Sequence, residues 1–247
     1  MSTILIISPE SWEDHFVSKH HYSITLASKG HKVYFLNPPN LSINNISVNL
    51  TEYDKLFKVD SPIIVKGLRF YPRFLRKWIE ARWLKKLEKQ IGCSFDVIWL
   101  FENSRFYNME FASKRLKIYH QVDLNQNFHV SEAASSADIC FCTTEYILNA
   151  IKPWNQKVYK IHHGVEIPEV TRALPDNYIQ YFKNTDINAT YIGNLAMRYL
   201  DVEALFQIIK LHPEVQFQFV GGYNSETPLY VKRSEERRVG KECTVLC

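Results

Sequence analysis

The chain predicts an α/β protein: a doubly wound parallel sheet, then a linker, then the opening of a second α/β unit. Three observations carry this reading. Six short apolar runs alternate with helical or loop segments between Thr3 and His162, and runs without polar alternation suit strands covered on both faces. Gly30 and Gly92 close the first helical segment and the longest one, at the C′ position where a left-handed backbone favours glycine. Ala189–Gly222 reads as a β-α-β unit of its own.

Taken in order, Thr3–Ser8 is a central strand and Pro9–His15 a polar loop. Phe16, His20, Ile24, Leu26 and Ala27 then recur at roughly helical spacing before Gly30 and the strand His31–Leu36. Pro38-Pro39 breaks the chain, and Leu41–Asp60, rich in Asn and Ser, reads as irregular or short-strand material. Arg76–Ile91 is an amphipathic helix with Ile79, Trp83, Leu87 and Ile91 at i, i+4 steps. The strands Phe95–Phe101, Leu116–Val122, Ala137–Thr143 and Lys157–His162 follow, with a short helix opened by Thr143-Thr144-Glu145 and ended before Pro153. Right-handed crossovers gather the loops after these strands along one sheet edge, where ligands collect.

The divisions expected are a first domain at 1–168, a linker at 169–186, the start of a second domain at 187–232 and a tail at 233–247. In the second domain Thr190–Ile192 and Val215–Val220 are strands flanking a helix from about Asp201 to Leu211. Two parallel strands cannot bury both sheet faces, so this domain is incomplete as written. Arg233–Cys243 (RSEERRVGKEC) has no apolar periodicity and resembles the in-frame translation of a sequencing-library adapter. The tail is therefore read as an artefact, with the native sequence continuing past Lys232.

Of the 247 residues, 46% are apolar and 23% charged, an ordinary balance for a globular protein. Ile4–Ile7 is too short for a targeting segment, and no run approaches the ~20 apolar residues of a membrane span. The five cysteines show no Cys-x-x-Cys spacing, which argues against a zinc site or disulfide framework and suits a reducing cytoplasm. The net charge of +4 conceals a basic stretch, Lys66–Lys89, with nine cations against Glu80 and Glu88; the rest of the chain carries −3. Phe70, Tyr71, Phe74, Trp78 and Trp83 interleave with those cations. Such a stretch fits peripheral contact with an anionic membrane, and equally a sheet-covering helix with solvated charges. A modest net charge and no recognised module argue against nucleic acid.

Three segments carry a resemblance. WEDHFVSKHHYSITLASKGHKVYFL, VYKIHHGVE and ATYIGNL are similar, in order and spacing, to the first loop-helix-strand, the domain junction and the donor-domain opening of GT-B glycosyltransferases. The likeness is to the nucleotide-sugar transferases that build bacterial polysaccharides, and it covers about residues 1–222. It implies two Rossmann-like domains facing across a cleft, and transfer of a hexose from a nucleotide sugar to a carbohydrate or lipid-linked acceptor, with no cofactor and no obligatory metal.

On that resemblance, Gly193, Asn194, Arg198, Gly221 and Gly222 belong to the donor side. Arg198 would face the diphosphate, where a guanidinium stabilises leaving-group charge. The acceptor cleft would be lined by Trp12, Glu102, Asn103, His163 and Glu166, with Asp123 and His120 at a strand end as candidate general bases. His162-His163 replace the Pro-Asn of the family junction, Asn194 stands where many relatives have Arg, and the family's acidic donor-binding pair would lie beyond residue 222. A non-catalytic module binding a nucleotide or sugar in the same cleft remains the alternative.

Overall fold

The computed structural model describes residues 1–101, 103–124, 128–164, 187–197, 200–222 and 244–246. The chain divides into two compact units, Met1–Val165 and Glu166–Cys247. The linker expected at 169–186 lies outside the described residues.

The first unit runs β1 (Thr3–Ile7), α1 (Ser18–Ser28), β2 (Lys32–Leu36), β3 (Ser47–Leu50), β4 (Leu56–Asp60), α2 (Arg73–Ile91), β5 (Val97–Leu100), β6 (Leu116–Gln121), α3 (Val130–Ser136), β7 (Ile139–Cys142), α4 (Glu145–Ile151) and β8 (Val158–Lys160). Its sheet has the order β3-β4-β2-β1-β5-β6-β7-β8. Every pairing is parallel except β3 with β4. The chain works outward from β1 through β2 to β4, then returns to β5 on β1's other side, where Ile4 is in register with Val33 on one flank and Val97 on the other. This reversal is the switch point at which open α/β sheets bind ligands.

Strand alternation builds two cores. Leu5 and Ile7 of β1 pack with Trp83, Leu84 and Leu87 of α2, whereas Ile4 and Ile6 join Trp12, Ala27, Phe35 and Trp99 on the opposite face. Burying each such large apolar side chain contributes about 1.5–3 kcal/mol. Helix ends follow local chemistry: Gly30 and Gly92 take φ of 92° and 72°, and Thr144 caps α4 by accepting from the Ile147 amide at 3.2 Å.

Three elements differ from expectation. Leu41–Asp60 contains the antiparallel hairpin β3–β4, and β4 extends the parallel sheet beside β2. α2 begins a turn earlier than Arg76, with Pro72 at its N-cap, where a missing N–H costs nothing. α1 begins only at Ser18, so Phe16 lies outside it, and its buried positions are Lys19, His20, Ser23 and Ala27. Of the apolar spacing counted from Phe16, His20 and Ala27 are buried and Ile24 and Leu26 pack against the core, while Lys19 and Ser23 join the buried face unannounced by any apolar pattern.

The second unit contains β9 (Ile187–Ile192), α5 (Val202–Leu211), β10 (Val215–Val220) and β11 (Thr244–Leu246), in the parallel order β11-β10-β9. Leu195, Phe206 and Phe219 form its core. Asp201 caps α5, accepting from the Ala204 amide at 2.9 Å. β11 falls within the stretch 233–247 read as an artefactual tail and pairs Thr244–Leu246 with Gln218–Val220. Residues 233–243 and Cys247 lie outside the described residues.

Candidate functional site

The loops leaving the C-terminal ends of β1, β2, β4, β5 and β6 frame the site of the first unit. After β1, Ser8 is buried and its hydroxyl accepts from the Glu10 amide at 3.1 Å. The Glu10 carboxylate holds the buried Lys19 ammonium at 2.7 Å. After β2, the Asn37 side chain accepts from the Trp12 amide at 2.9 Å and donates to Asp60 at 2.8 Å, tying three loops into one edge.

The residues expected to line an acceptor site part company here. Asp123 follows β6 with its side chain exposed, and its own carbonyl accepts from Gln121 at 3.3 Å. His163 is also exposed. Trp12, by contrast, is 5% exposed and packs against Phe16, His20, Phe35 and Tyr53, with ring centroids 5.0–6.1 Å apart. Its indole is a core component and not the exposed cleft lining expected of it. Asn103 is likewise a brace: buried, it donates to the Tyr119 hydroxyl at 3.0 Å and to the Phe128 carbonyl, joining the loops after β5 and β6. Glu102 and Glu166 lie outside the described residues.

His120 is 1% exposed rather than open at the sheet edge. Its ring sits among Tyr22, Trp99, Phe101 and Phe141 at 4.8–6.0 Å, because Ile118, His120 and Val122 share one strand face and that face is an apolar core. Neither ring nitrogen has a hydrogen-bond partner. Burial, reinforced by the charges of Lys19 and His163, pushes its pKa down to about 3. A neutral imidazole walled off in this way has no path to a substrate proton without rearrangement of the cage.

What the sequence reading missed is a cleft of about 560 Å³ lined by Gly67, Leu68, Arg69, Phe70, Arg76, Ser104, Arg105, Tyr107, Phe128 and His129. Arg69 precedes α2, Arg76 lies within it and Arg105 follows β5, so three segments supply its cations. The Arg76 guanidinium lies 4.6 Å from the Tyr107 ring centroid and 3.3 Å from Glu132. Tyr107 stacks on His129 at 3.8 Å, and His129 reaches Glu132 at 3.0 Å. Arg105 donates to the Asn37 carbonyl at 3.2 Å and the Ser61 hydroxyl at 2.9 Å. Behind them, buried Glu80 leaves Oε1 unpartnered, and burial pushes its pKa up to about 8 against the opposing pull of Arg76 and Arg105. The basic stretch was visible as charge; that Arg76 is buried and that Arg69 lines the same cleft were not.

In the second unit the loops after β9 and β10 are zipped together. The Gly193 amide donates to Val220 at 2.9 Å and the Leu195 amide to Gly222 at 3.2 Å. A Cβ on Gly221, whose φ is 154°, would lie 1.7 Å from the Gly193 carbonyl oxygen, so only glycine permits this approach. Asn194 is exposed and its side chain accepts from the Ala196 amide at 2.9 Å. The α5 N-terminus carries Asp201 and Glu203, which occupy the positive end of the helix. Arg198 lies outside the described residues. Among the described residues no cluster of three His, Cys, Asp or Glu is placed to hold a metal.

No protein-family model and no curated protein matches the sequence. Solved structures do match. Sucrose-phosphate synthase from Thermosynechococcus elongatus is similar at a TM-score of 0.64 and 14% identity, over 100% of this chain and 70% of that one. The UDP-forming α,α-trehalose-phosphate synthase of Burkholderia xenovorans, in complex with glucose-6-phosphate, gives 0.57 and 12%, over 100% and 74%. Anabaena HepE, in complex with UDP and glucose, gives 0.58 and 13%, over 99% and 68%. At such identities the likeness speaks for the fold, and it spans both units. The chain is an α/β protein of the GT-B architecture, with two Rossmann-like domains of which the second is incomplete beside those of its structural neighbours.

Proposed function

We propose that this chain comes from a glycosyltransferase that moves a hexose from a nucleotide sugar to a carbohydrate or lipid-linked acceptor. The observation that carries the proposal is fold likeness along the whole chain to synthases that form sucrose-phosphate and trehalose-phosphate, and to a protein holding UDP and glucose. On this reading the second unit grips the donor through the loops zipped at Gly193 and Gly221, and the first presents the acceptor. Transfer breaks the bond from the sugar's anomeric carbon to the diphosphate and forms one to an acceptor oxygen, whose proton must go to a base. Asp123, exposed at the end of β6, is the candidate; His120, caged, is not. No metal or cofactor enters the proposal, and the enzyme works in the cytoplasm.

The chain of 247 residues alone is proposed to be inactive, since it spans about 70% of the sucrose-phosphate synthase it matches. Losing several donor hydrogen bonds at ~0.5–1.5 kcal/mol each removes most donor affinity. The test assays residues 1–247 and the full-length gene product side by side for UDP-glucose binding and acceptor-dependent UDP release. The expected result is turnover only by the latter, lowered ~10²-fold or more by Asp123→Asn. Binding without turnover in both would favour the non-catalytic module instead.

A further inference from the structure

We propose that the arginine-lined cleft of the first unit is a phosphate site: it takes an acceptor whose sugar carries a phosphate ester. This inference rests on the transferase reading and adds the chemical class of the acceptor.

Cations on a solvated helix face point apart. Here Arg69, Arg76 and Arg105 come from three segments and line one cavity of about 560 Å³, a volume that suits a small ligand. Arg76 is 8% exposed, fixed between the Tyr107 ring and Glu132, so its planar donor fork is held in place before any ligand arrives. Guanidinium groups match phosphate oxygens bidentately, which makes such a wall a better fit to phosphate than to a neutral hydroxyl.

The electrostatics favour an anion as well. Glu132 already answers both Arg76 and His129. Burial pushes the pKa of Glu80 up to about 8, so at neutral pH it holds its proton and sets no negative charge against Arg76 and Arg105. The rest of the wall suits a sugar ring: Phe70, Phe128 and His129 line it, while Tyr107, covered by the His129 ring and by the Arg76 guanidinium, braces both in place. Apolar ring faces pack against the C–H faces of a hexose while the arginines take its charged end.

The experiment titrates the 247-residue chain, which contains the whole cleft, with glucose 6-phosphate, glucose and inorganic phosphate, and sediments it with phosphatidylglycerol and phosphatidylcholine vesicles. Glucose 6-phosphate is expected to bind at least tenfold more tightly than glucose. Arg76→Gln and, should that buried change impair folding, exposed Arg69→Gln are each expected to weaken it about tenfold. Lys85→Gln, exposed on α2, is expected to leave it unchanged. Binding to phosphatidylglycerol vesicles that requires Arg69 and Arg76, without binding of glucose 6-phosphate, upholds the phosphate site and assigns its source to a lipid headgroup. Equal affinity for glucose and glucose 6-phosphate, with neither arginine mattering to any probe, overturns it. UDP-glucose turnover by the full-length product, measured separately, fails or holds independently, so loss of the transferase reading is distinguishable from loss of this site.

Discussion

His120 and Glu80 are buried ionisable groups displaced in opposite directions, and each leaves a signature in pH. His120 stays neutral in the folded chain down to about 3, while in the unfolded chain it takes a proton below its usual 6.5. Its contribution to stability is therefore present above pH 6.5 and lost as pH falls toward 3. His120→Phe should fill the same aromatic cage without two unpartnered nitrogens, raising Tm and flattening the loss between pH 6.5 and 4, as thermal melts across that window will show. Glu80 behaves inversely. Folded, it keeps its proton up to about 8, against a usual 4.5, so its contribution is present below pH 4.5 and falls away as pH rises through 8. Glu80→Gln should melt close to wild type at pH 5 and several degrees higher at pH 8.5. Both residues sit in segments the sequence placed correctly. What it could not give was their surroundings: strand parity puts His120 with Ile118 and Val122, but only the packed neighbours show that this face is sealed.

At the scale of the element, α2 carries two apolar stripes where a sheet-covering helix needs one. Trp83, Leu84 and Leu87 face the core, while Phe74 and Trp78, in line with Phe70 just before the helix, are 74%, 55% and 77% exposed. Arg69 lies over Phe70 and Arg82 over Trp78, each 4.7 Å from the ring centroid; Arg73 and Lys77 reach Glu110 at 2.6 and 3.4 Å. We propose this as the surface for peripheral contact with an anionic membrane. Phe74→Ser with Trp78→Ser should abolish sedimentation with phosphatidylglycerol vesicles at low salt and leave Tm within a degree or two, since neither ring is in the core. Equal binding to neutral and anionic vesicles would count against it. The core stripe was legible as an i, i+4 pattern; the outer one was legible only as composition, because exposure is a property of the fold. For Leu41–Asp60, read as irregular or short-strand material, the hairpin pairing of β3 with β4 was not legible, for a related reason. The segment's Asn and Ser residues mask the short edge strand β3, which is held by pairing with β4, itself paired with β2, and not by its own pattern. In the second unit Gly221→Ala should cost about 1–3 kcal/mol or unfold that unit, because its Cβ would strike the Gly193 carbonyl at 1.7 Å; loss of the local melting step with the first unit intact is the readout.

Over the whole molecule, the order of elements and the presence of two units were readable from alternation, glycines and turns, and the GT-B architecture from the resemblance of three segments to that family. The site was readable only in part. Loops at strand ends were found because topology dictates where they gather, whereas the arginine cleft is assembled from a segment before α2, from α2 itself and from the loop after β5. One feature of the second unit bears on how the protein behaves in the tube. β9 forms the margin of the sheet β11-β10-β9 among the described residues, and Ile192 at its end is 78% exposed. A strand with one flank unpaired is a template: its amide and carbonyl groups offer the same ladder to any extended chain that β10 has already accepted on the other side. Two molecules can therefore complete each other's sheets. Raising the concentration from micromolar to near-millimolar should shift light scattering toward dimers and larger species. The Gly193 amide donates to Val220 of β10, so by strand alternation the Thr190 amide faces the open flank, and Thr190→Pro should suppress that growth. A preparation that stays monomeric throughout would mean the margin is already guarded.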